Sequence, residues 1–210
     1  MTEASPTAVM LAMMEPPSQY EEEFHDWYDT EHVPQRLGLP GFLSASRWEC
    51  IAGAPRWLAR YELTSLAALE SAEYKAVSGA NSTPWSRRML AKCEGPGRGQ
   101  VRGDILTSAQ KNMPDAANVD HLIVARFPAL GAKDETMLSA AIAGLVAEVE
   151  EVSGYMLLRS SVEATNGSDI WALIEGGIPL TYLMENRLLA CGQWSAEVTN
   201  LYRGYRRPLK

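Results

Sequence analysis

The sequence predicts an α+β fold in which two copies of one βαββαβ unit pack their antiparallel sheets into a single α+β barrel. Three observations predict it: a repeat at one constant offset, the same order of elements in each half, and a first strand that is apolar on both faces. The 210 residues are 46% hydrophobic and 21% charged, which is typical of a globular chain with a sizeable core.

The two halves of the chain align without gaps. Val9–Ala12 matches Leu122–Ala125, an offset of 113 residues (122 − 9 = 113), and further short segments follow the same offset. Identity is low, so the constant offset is the evidence for a repeat. The repeat divides the chain into a first copy, residues 1–112, and a second copy, residues 113–210.

Hydrophobic patterning defines the elements of the first copy. Its first strand, Ala8–Met14, has apolar residues on both faces, so both faces are expected to be covered. Its first helix, Ser18–His32, begins with Ser18 as N-cap and is expected to end at Pro34 and Gly38. The other predicted elements are strands Phe42–Ile51, Trp57–Leu63 and Val101–Ser108 and helices Leu66–Val77 and Trp85–Cys93.

The second copy has the same order of elements. Its predicted elements are strand Leu122–Phe127, helix Glu135–Glu151, strand Tyr155–Val162, a hairpin turn at Asn166-Gly167, strand Ile170–Glu175, helix Leu180–Cys191 and strand Glu197–Tyr205. This βαββαβ order is that of the ferredoxin-like fold. Helices cover one face of each sheet, and the sheet of the other copy is expected to cover the second face.

Charge and cysteine content exclude several classes of protein. The net charge of −7 lacks the basic surplus of a nucleic-acid binder. No apolar segment reaches the roughly 18 residues of a membrane span, and no signal peptide is evident. Cys50, Cys93 and Cys191 have no zinc-site spacing. We therefore expect a cytoplasmic protein whose partner is a small molecule, with neither nucleic acid nor membrane.

One segment carries a motif. Trp27–Pro34 reads WYDTEHVP, and Pro40-Gly41-Phe42 follows it. The segment resembles the dimeric α+β-barrel superfamily, most closely EthD-like and uncharacterised members with a W-Y-x-x-E-H-x-P signature. The resemblance implies an activity among those of cofactor-free monooxygenases, polyketide cyclases, muconolactone isomerases, dehydratases and haem-handling enzymes. Members usually build the barrel from two subunits, so a barrel closed within one chain and a homodimer both stay open here.

The first helix carries polar residues where its counterpart is apolar. One face would present His25, Asp29, His32 and Arg36, whose counterparts in the second copy are Leu138, Ile142, Leu145 and Val149. Unpaired burial of such groups costs several kcal/mol, so they are expected to pair with one another or to line a cavity. The alternative is a rotated helix with His25 and Asp29 at the surface and His32 capping the helix C-terminus.

A catalytic assignment follows from these residue types. Histidine is the commonest general acid or base near neutral pH, and His32 lies within the motif. We predict that His32 moves a proton, Asp29 orients it, and Tyr28 or His25 stabilises an oxyanion. Such a site suits cyclisation, isomerisation, dehydration or cofactor-free oxygenation of a flat apolar or aromatic substrate. Ligand binding without catalysis and a purely structural role are the alternatives.

Further residues are predicted to contact the substrate: Trp27, Arg47, Trp48, Trp57 and Tyr61. The aromatic rings would wall a flat pocket and Arg47 would bind a carboxylate, although core packing and solvent exposure are alternatives. We predict no metal and no cofactor. His25 and His32 lie about 10 Å apart along a helix, too far to share an ion, while haem ligation by His32 stays open.

Overall fold

The computed structural model describes residues 5–93, 99–110, 121–150, 152–164, 167–177 and 193–205. The described strands are β1 (Ala8–Met14), β2 (Phe42–Ala52), β3 (Trp57–Leu63), β4 (Gly99–Gln110), β5 (His121–Leu130), β6 (Val152–Ala164), β7 (Gly167–Gly176) and β8 (Val198–Gly204). The described α-helices are α1 (Glu21–Trp27), α2 (Val33–Leu37), α3 (Ala72–Lys75), α4 (Pro84–Lys92) and α5 (Ala132–Glu148).

The strands form one sheet that closes on itself. Hydrogen-bonded neighbours follow the order β1-β3-β2-β8-β5-β7-β6-β4, with β4 next to β1. The order β4-β1-β3-β2 in the first copy is repeated as β8-β5-β7-β6 in the second, which is what a duplicated βαββαβ unit requires. The predicted α+β barrel is confirmed.

Contacts between Cα atoms divide the chain into two compact units, which we describe separately. The first unit comprises Met1–Arg47 and Pro55–Arg102, and the second comprises Trp48–Ala54 and Gly103–Lys210. The end of β2 belongs to the second unit because Trp48–Ala52 pairs with β8. The boundary between the two sequence copies at residue 112 therefore stays a prediction from the repeat. The two contact units are defined by packing instead.

In the first unit, β1 lies between covering layers. All seven of its residues are buried, which confirms the expectation drawn from its two apolar faces. It pairs antiparallel with β3, from Ala8 opposite Leu63 to Met14 opposite Trp57. The side chains of Phe24 and Trp27 on α1 are buried as well.

The first helical segment differs from the prediction. A 3₁₀ turn, Ser18–Tyr20, precedes α1, its N-cap is Pro17, and no side chain caps it, so the assignment of Ser18 as N-cap was wrong. The segment does not end at Pro34, because Pro34 lies in the first turn of α2, where a missing N–H breaks no hydrogen bond. Arg36 is therefore helical.

The later helices agree in part. The predicted helix Leu66–Val77 consists of a 3₁₀ turn, Leu66–Glu70, followed by the short helix α3. The helix predicted at Trp85–Cys93 is confirmed as α4, which begins at Pro84 with the Thr83 hydroxyl accepting from the amide of Ser86. The predicted helix Leu180–Cys191 and Asn166 of the predicted hairpin lie outside the described residues.

The second unit packs α5 on its sheet. Leu138, Ile142 and Val146 are buried in one apolar cluster with strand residues such as Ile123 and Leu157. Of the four apolar residues that the sequence placed on one face of this helix, Leu138 and Ile142 are buried in the cluster, whereas Leu145 and Val149 pack partly buried against it. No helix among the described residues has the length and apolar character needed to cross a membrane.

Candidate functional site

A π-helical turn, Tyr28–His32, separates α1 from α2. The amide of Val33 donates to the carbonyl oxygen of Tyr28, five residues earlier, so the turn holds one residue more than an α-helical turn. The extra residue separates the polar residues that were predicted to share one face of the helix. Asp29 contacts β2 on one side, whereas Arg36 contacts the segment that follows α3 on the other.

Arg47 of β2 is the centre of the first group of polar residues, which we call the Arg47 cluster (Arg47, Asp29 and His25). Its Nη1 atom lies 2.7 Å from Oδ1 of Asp29, and its Nη2 atom lies 2.7 Å from Nδ1 of His25. The arginine side chain is only 8% exposed. It therefore holds its position through two short hydrogen bonds inside the protein.

Aromatic rings surround the guanidinium group of Arg47. Its central carbon lies 4.5 Å from the ring centre of Tyr28, 5.5 Å from that of Phe24 and 5.9 Å from that of Trp57. Cation–π attraction at these distances stabilises a desolvated arginine. The rings place an apolar surface beside a positive charge, while the substrate contacts of Arg47 and Trp57 stay a prediction.

Asp29 has one oxygen in use and one without a partner. Oδ1 accepts from Arg47, whereas Oδ2 is buried and accepts no hydrogen bond within the described part of the chain. The side chain as a whole is 31% exposed, so this burial concerns the single oxygen. A carboxylate oxygen with free lone pairs beside a cation is able to accept a proton or a donor group from a ligand.

A narrow crevice lies against this cluster. It lies between Arg47, the rings of Phe24, Tyr28 and Trp57, and a floor that includes Ala12 and Ala59. It is nowhere wide enough for a water molecule. A ring-shaped ligand would therefore have to displace some of its walls.

The second copy lacks this chemistry. The counterparts of Phe24, Tyr28, Arg47 and Trp57, 113 residues later, are Met137, Ala141, Ser160 and Ile170. The counterparts of His25 and Asp29 are Leu138 and Ile142, both fully buried in the core cluster. The fold therefore forms without an arginine, a carboxylate or aromatic rings at these positions.

His32 lies away from the Arg47 cluster, among aromatic rings. Its own ring centre lies 4.3 Å from that of Trp27 and 5.3 Å from that of Tyr28, and the residue is 7% exposed. Burial, with the positive charges of Arg36 and Arg47, lowers the pKa of His32 to about 3. The imidazole is neutral at pH 7 and a weak base, which does not favour its predicted role as the main acid or base. Because Trp27 and Tyr28 fill the space beside it, these residues do not fit a haem.

Tyr28 and Tyr61 are both fully buried. Burial raises the pKa of Tyr28 to about 12 and that of Tyr61 well above its usual range. The Tyr28 hydroxyl lies 3.9 Å from Sδ of Met14. The nearby Tyr61 side chain partly offsets the rise in the pKa of Tyr28. The hydroxyl of Tyr61 makes no hydrogen bond of good geometry to the described residues. Both phenols therefore stay protonated donors.

Trp27 and Glu31 of the motif connect the first helical segment to the start of α4. Nε1 of Trp27 donates to Oγ of Ser86 at 3.0 Å, and Ser86 donates to Oε1 of Glu31 at 3.0 Å. Thr83, the N-cap of α4, donates to the same oxygen. Trp27 is fully buried, so its contribution is to packing rather than to substrate contact. The sequence analysis did not assign a role to Glu31.

Two further observations concern Trp48 and the side chains able to hold a metal ion. Trp48 is buried and belongs to the second contact unit, and its contact with a substrate stays a prediction. Among the residues that the structure describes, no three His, Cys, Asp or Glu side chains are grouped to hold a metal ion.

Comparison with solved structures shows the fold. The chain is similar to an anthrone oxidase-like protein (TM-score 0.67, 9% identity, 98% of this chain and 94% of that chain covered). It is also similar to a candidate monooxygenase from Lactobacillus acidophilus (TM-score 0.59, 6% identity, 96% and 94% covered). Chlorite dismutase from Candidatus Nitrospira defluvii is a further match (TM-score 0.57, 13% identity, 96% and 92% covered).

Neither a protein-family model nor a curated protein sequence matches the chain. The solved structures and the closed eight-stranded sheet confirm the predicted α+β-barrel fold. The EthD-like label stays a prediction.

Proposed function

We propose that the first copy is the catalytic half of a small-molecule enzyme that removes a proton from a flat apolar or aromatic substrate and stabilises the oxyanion formed. One observation carries the proposal. The free Oδ2 atom of Asp29 lies on the same carboxylate that Arg47 holds, and three aromatic rings pack around the guanidinium group of that arginine. A base and an oxyanion partner are thus fixed side by side.

The step uses groups of this chain alone. Oδ2 of Asp29 accepts a proton from a carbon next to a carbonyl. The C–H electron pair forms a C=C bond and the π pair of the carbonyl moves to its oxygen, which gives an enolate. The guanidinium of Arg47 donates to that oxygen as negative charge develops. Tyr28, which keeps its proton because its pKa is raised to about 12, supplies a neutral donor beside Arg47. In this proposal Asp29 replaces His32 as the base.

Carbanion formation serves each reaction that the sequence left open. Cyclisation, isomerisation, dehydration and cofactor-free oxygenation all begin with loss of a proton from carbon. Two similar structures are of an anthrone oxidase-like protein and a candidate monooxygenase, so a tricyclic ketone with an acidic methylene group is a reasonable probe. Anthrone meets that description, and 2-indanone offers the same chemistry in a smaller molecule.

The test is exchange of the methylene protons for deuterium. Anthrone and 2-indanone are incubated with the protein in D₂O under nitrogen, and exchange is followed by NMR. We expect the protein to accelerate exchange of at least one probe, and Asp29→Asn to lower that acceleration by about 100-fold or more, the usual effect of losing a general base. The exposed Glu22 on the same helix provides the control variant, Glu22→Gln, which should exchange normally. Equal rates for the protein and Asp29→Asn contradict the assignment.

A second candidate is a non-catalytic member of the same fold that binds a hydrophobic ligand. The narrow crevice favours it, because no space for a ring exists until side chains move. It predicts that 2-indanone binds equally to the protein and to Asp29→Asn, and that neither accelerates exchange.

A further inference from the structure

We propose that His25 is a positioning residue for the proposed reaction: its neutral imidazole holds the guanidinium group of Arg47 beside the crevice, and protonation of the imidazole releases that group. The inference rests on the proposed function, because Arg47 is the group that stabilises the oxyanion there. His25 is not among the described residues that line the crevice. It therefore acts through Arg47, whereas the sequence analysis had it contact the oxyanion itself.

The guanidinium group of Arg47 is anchored at both of its terminal nitrogens. Nη2 lies 2.7 Å from Nδ1 of His25, and Nη1 lies 2.7 Å from Oδ1 of Asp29. Because the group is planar and rigid, two anchors fix its rotation as well as its position. Without the anchor at His25, one end of the plane loses its hydrogen bond, and the group gains freedom to turn about its contact with Asp29.

Aromatic rings hold the imidazole of His25 in the orientation that this contact needs. Its ring centre lies 4.4 Å from that of Trp57, at an interplanar angle of 84°. The ring of Phe24 lies 5.6 Å away at 64°. Both of these rings also line the crevice. Edge-to-face packing against two rings limits rotation of the imidazole, so Nδ1 stays directed at Arg47.

Only a neutral imidazole fits beside Arg47. A guanidinium group donates hydrogen bonds and accepts none, so Nδ1 of His25 must present a lone pair. In the imidazolium form Nδ1 carries a proton, and two cationic donors would then face each other at 2.7 Å. Protonation therefore breaks the contact. Histidine is the side chain whose charge ordinarily changes between about pH 5 and pH 8.

Charged groups face the imidazole of His25 from the elements packed around it. On its own helical segment, Oε1 of Glu21 lies 4.0 Å from its Nε2 atom, and Asp29 meets it through Arg47. Arg47 comes from β2, and Arg56, just before β3, pairs with Glu21 at 2.9 Å. The carboxylates favour the imidazolium ion and the guanidinium groups oppose it. Arg47 is within hydrogen-bond distance of the ring and Glu21 is not, so the neutral imidazole is the form that this arrangement suits.

The second copy lacks both partners of this contact. The counterparts of His25 and Arg47 are Leu138 and Ser160, and both are buried. The fold therefore forms with an apolar residue at the position of His25. The acceptor is present only in the copy that has the arginine, as expected if its purpose is to hold that arginine.

The pH dependence of deuterium exchange tests the proposal. Exchange of anthrone or 2-indanone is measured above the uncatalysed background between about pH 5 and pH 8. We expect the acceleration by the parent chain to fall about tenfold or more toward pH 5, as His25 takes up a proton. His25→Asn places an amide oxygen near the position of Nδ1, accepts from Arg47 and does not titrate. It should keep the activity of the parent chain at pH 8 within about threefold and show no such fall. A flat profile for the parent chain, or the same fall in both proteins, overturns the proposal.

A variant without the acceptor gives the second comparison. His25→Leu introduces the residue type of the second copy and should lower the acceleration about tenfold or more at pH 8, because misplacing a catalytic group by about 1 Å can cost about 100-fold. His121→Asn is the control, since His121 begins β5 in the second unit, and it should keep both the rate and the pH profile. Equal activity of His25→Leu and the parent chain at pH 8 overturns the proposal. If His25→Leu does not fold, His25→Gln replaces it, because its amide oxygen lies one methylene group further along the side chain.

NMR of the arginine side chains separates this proposal from the proposed function. A guanidinium group anchored at both terminal nitrogens turns slowly and gives separate Nη signals, which comparison with Arg47→Met assigns to Arg47. Separate signals are expected for the parent chain at pH 8 and for His25→Asn at both pH values, and averaged signals for the parent chain at pH 5 and for His25→Leu. If this pattern is found while no probe exchanges faster, the proposed function fails and His25 still positions Arg47. Averaged Arg47 signals in the parent chain at pH 8 overturn the positioning role.

Discussion

Nη2 of Arg47 lies 2.7 Å from Nδ1 of His25, and this contact determines which nitrogen of the imidazole carries the proton. A guanidinium group only donates hydrogen bonds, so Nδ1 of His25 must accept. The ring proton therefore lies on Nε2, which is 4.0 Å from Oε1 of Glu21. His25 and Asp29 thus both accept from Arg47, whereas Glu21 lies beyond hydrogen-bond distance of the imidazole.

The first prediction concerns this tautomer. Long-range ¹H–¹⁵N NMR at pH 8 should show His25 with an unprotonated Nδ1 and a protonated Nε2. Arg47→Met removes the donor and should shift the ring toward a mixture of tautomers. Arg88→Met, which removes an exposed arginine paired with Glu23, should leave the His25 signals unchanged. A protonated Nδ1 in the parent chain would be incompatible with the contact.

The second prediction concerns His32 and the pH dependence of stability. The pKa of His32 is about 3 in the folded chain and about 6.5 when exposed to water. Below about pH 6.5 the His32 side chain binds a proton in the unfolded chain but not in the folded chain. Titration of His32 therefore leaves the free energy of unfolding unchanged above that pH and lowers it as the pH falls toward 3. The slope approaches about 1.4 kcal/mol per pH unit within that window.

Urea denaturation at a series of pH values between 7 and 4 measures this effect. His32→Gln should unfold with a weaker dependence on pH than the parent chain, because the variant lacks the titrating group. The difference between the two curves isolates His32 from all other groups. Parallel curves for the two proteins would show that His32 titrates alike in the folded and unfolded states.

The strands were predictable because their signals are local, and the repeat because its offset of 113 residues is constant. The bounds of β1 and β3 match the predicted strands, since each is a short apolar run between turn residues. The extension of the first helix past Pro34 was not predicted. It depends on the π-helical turn Tyr28–His32, and an extra residue in a turn follows from tertiary packing rather than from the pattern of side chains.

The site was predictable only as a set of residues. Comparison of the two copies singled out His25, Asp29, His32 and Arg36, and Arg47 was proposed to bind a carboxylate. Which of them meet depends on distances across the fold. Arg47 contacts Asp29 from a strand 18 residues away in sequence, while Arg36 faces Val77 and Tyr74 instead. Charge and spacing within one helix contain no such information.

The third prediction concerns Glu31, whose carboxylate joins the π-helical turn to α4. Glu31→Ala leaves the hydroxyls of Thr83 and Ser86 without their acceptor, and loss of such part-buried bonds costs about 1–3 kcal/mol. Glu31→Gln keeps an oxygen and should lose less. The free energy of unfolding in urea checks both variants. Glu22→Ala, at an exposed position of α1, should change it by no more than about 0.5 kcal/mol.

The fourth prediction compares two glycines of the second unit. Gly53 has φ of 112°, and a Cβ there would overlap the side chain of Asn200. That carboxamide accepts from the amide of Ala54 at 3.2 Å and donates to its carbonyl at 2.7 Å, so it has little freedom to move. Gly53→Ala should destabilise the chain by about 2 kcal/mol or more through backbone strain and displacement of Asn200.

Gly144 provides the opposite case within the same unit. It lies in the interior of α5, and a Cβ would meet nothing within 4 Å. Because alanine restricts the unfolded chain and suits a helix, Gly144→Ala should stabilise the protein by about 0.5–1 kcal/mol. Thermal and urea denaturation of both variants test the pair. Equal effects of the two substitutions would mean that Asn200 does not hold the turn at Gly53 in the way its hydrogen bonds indicate.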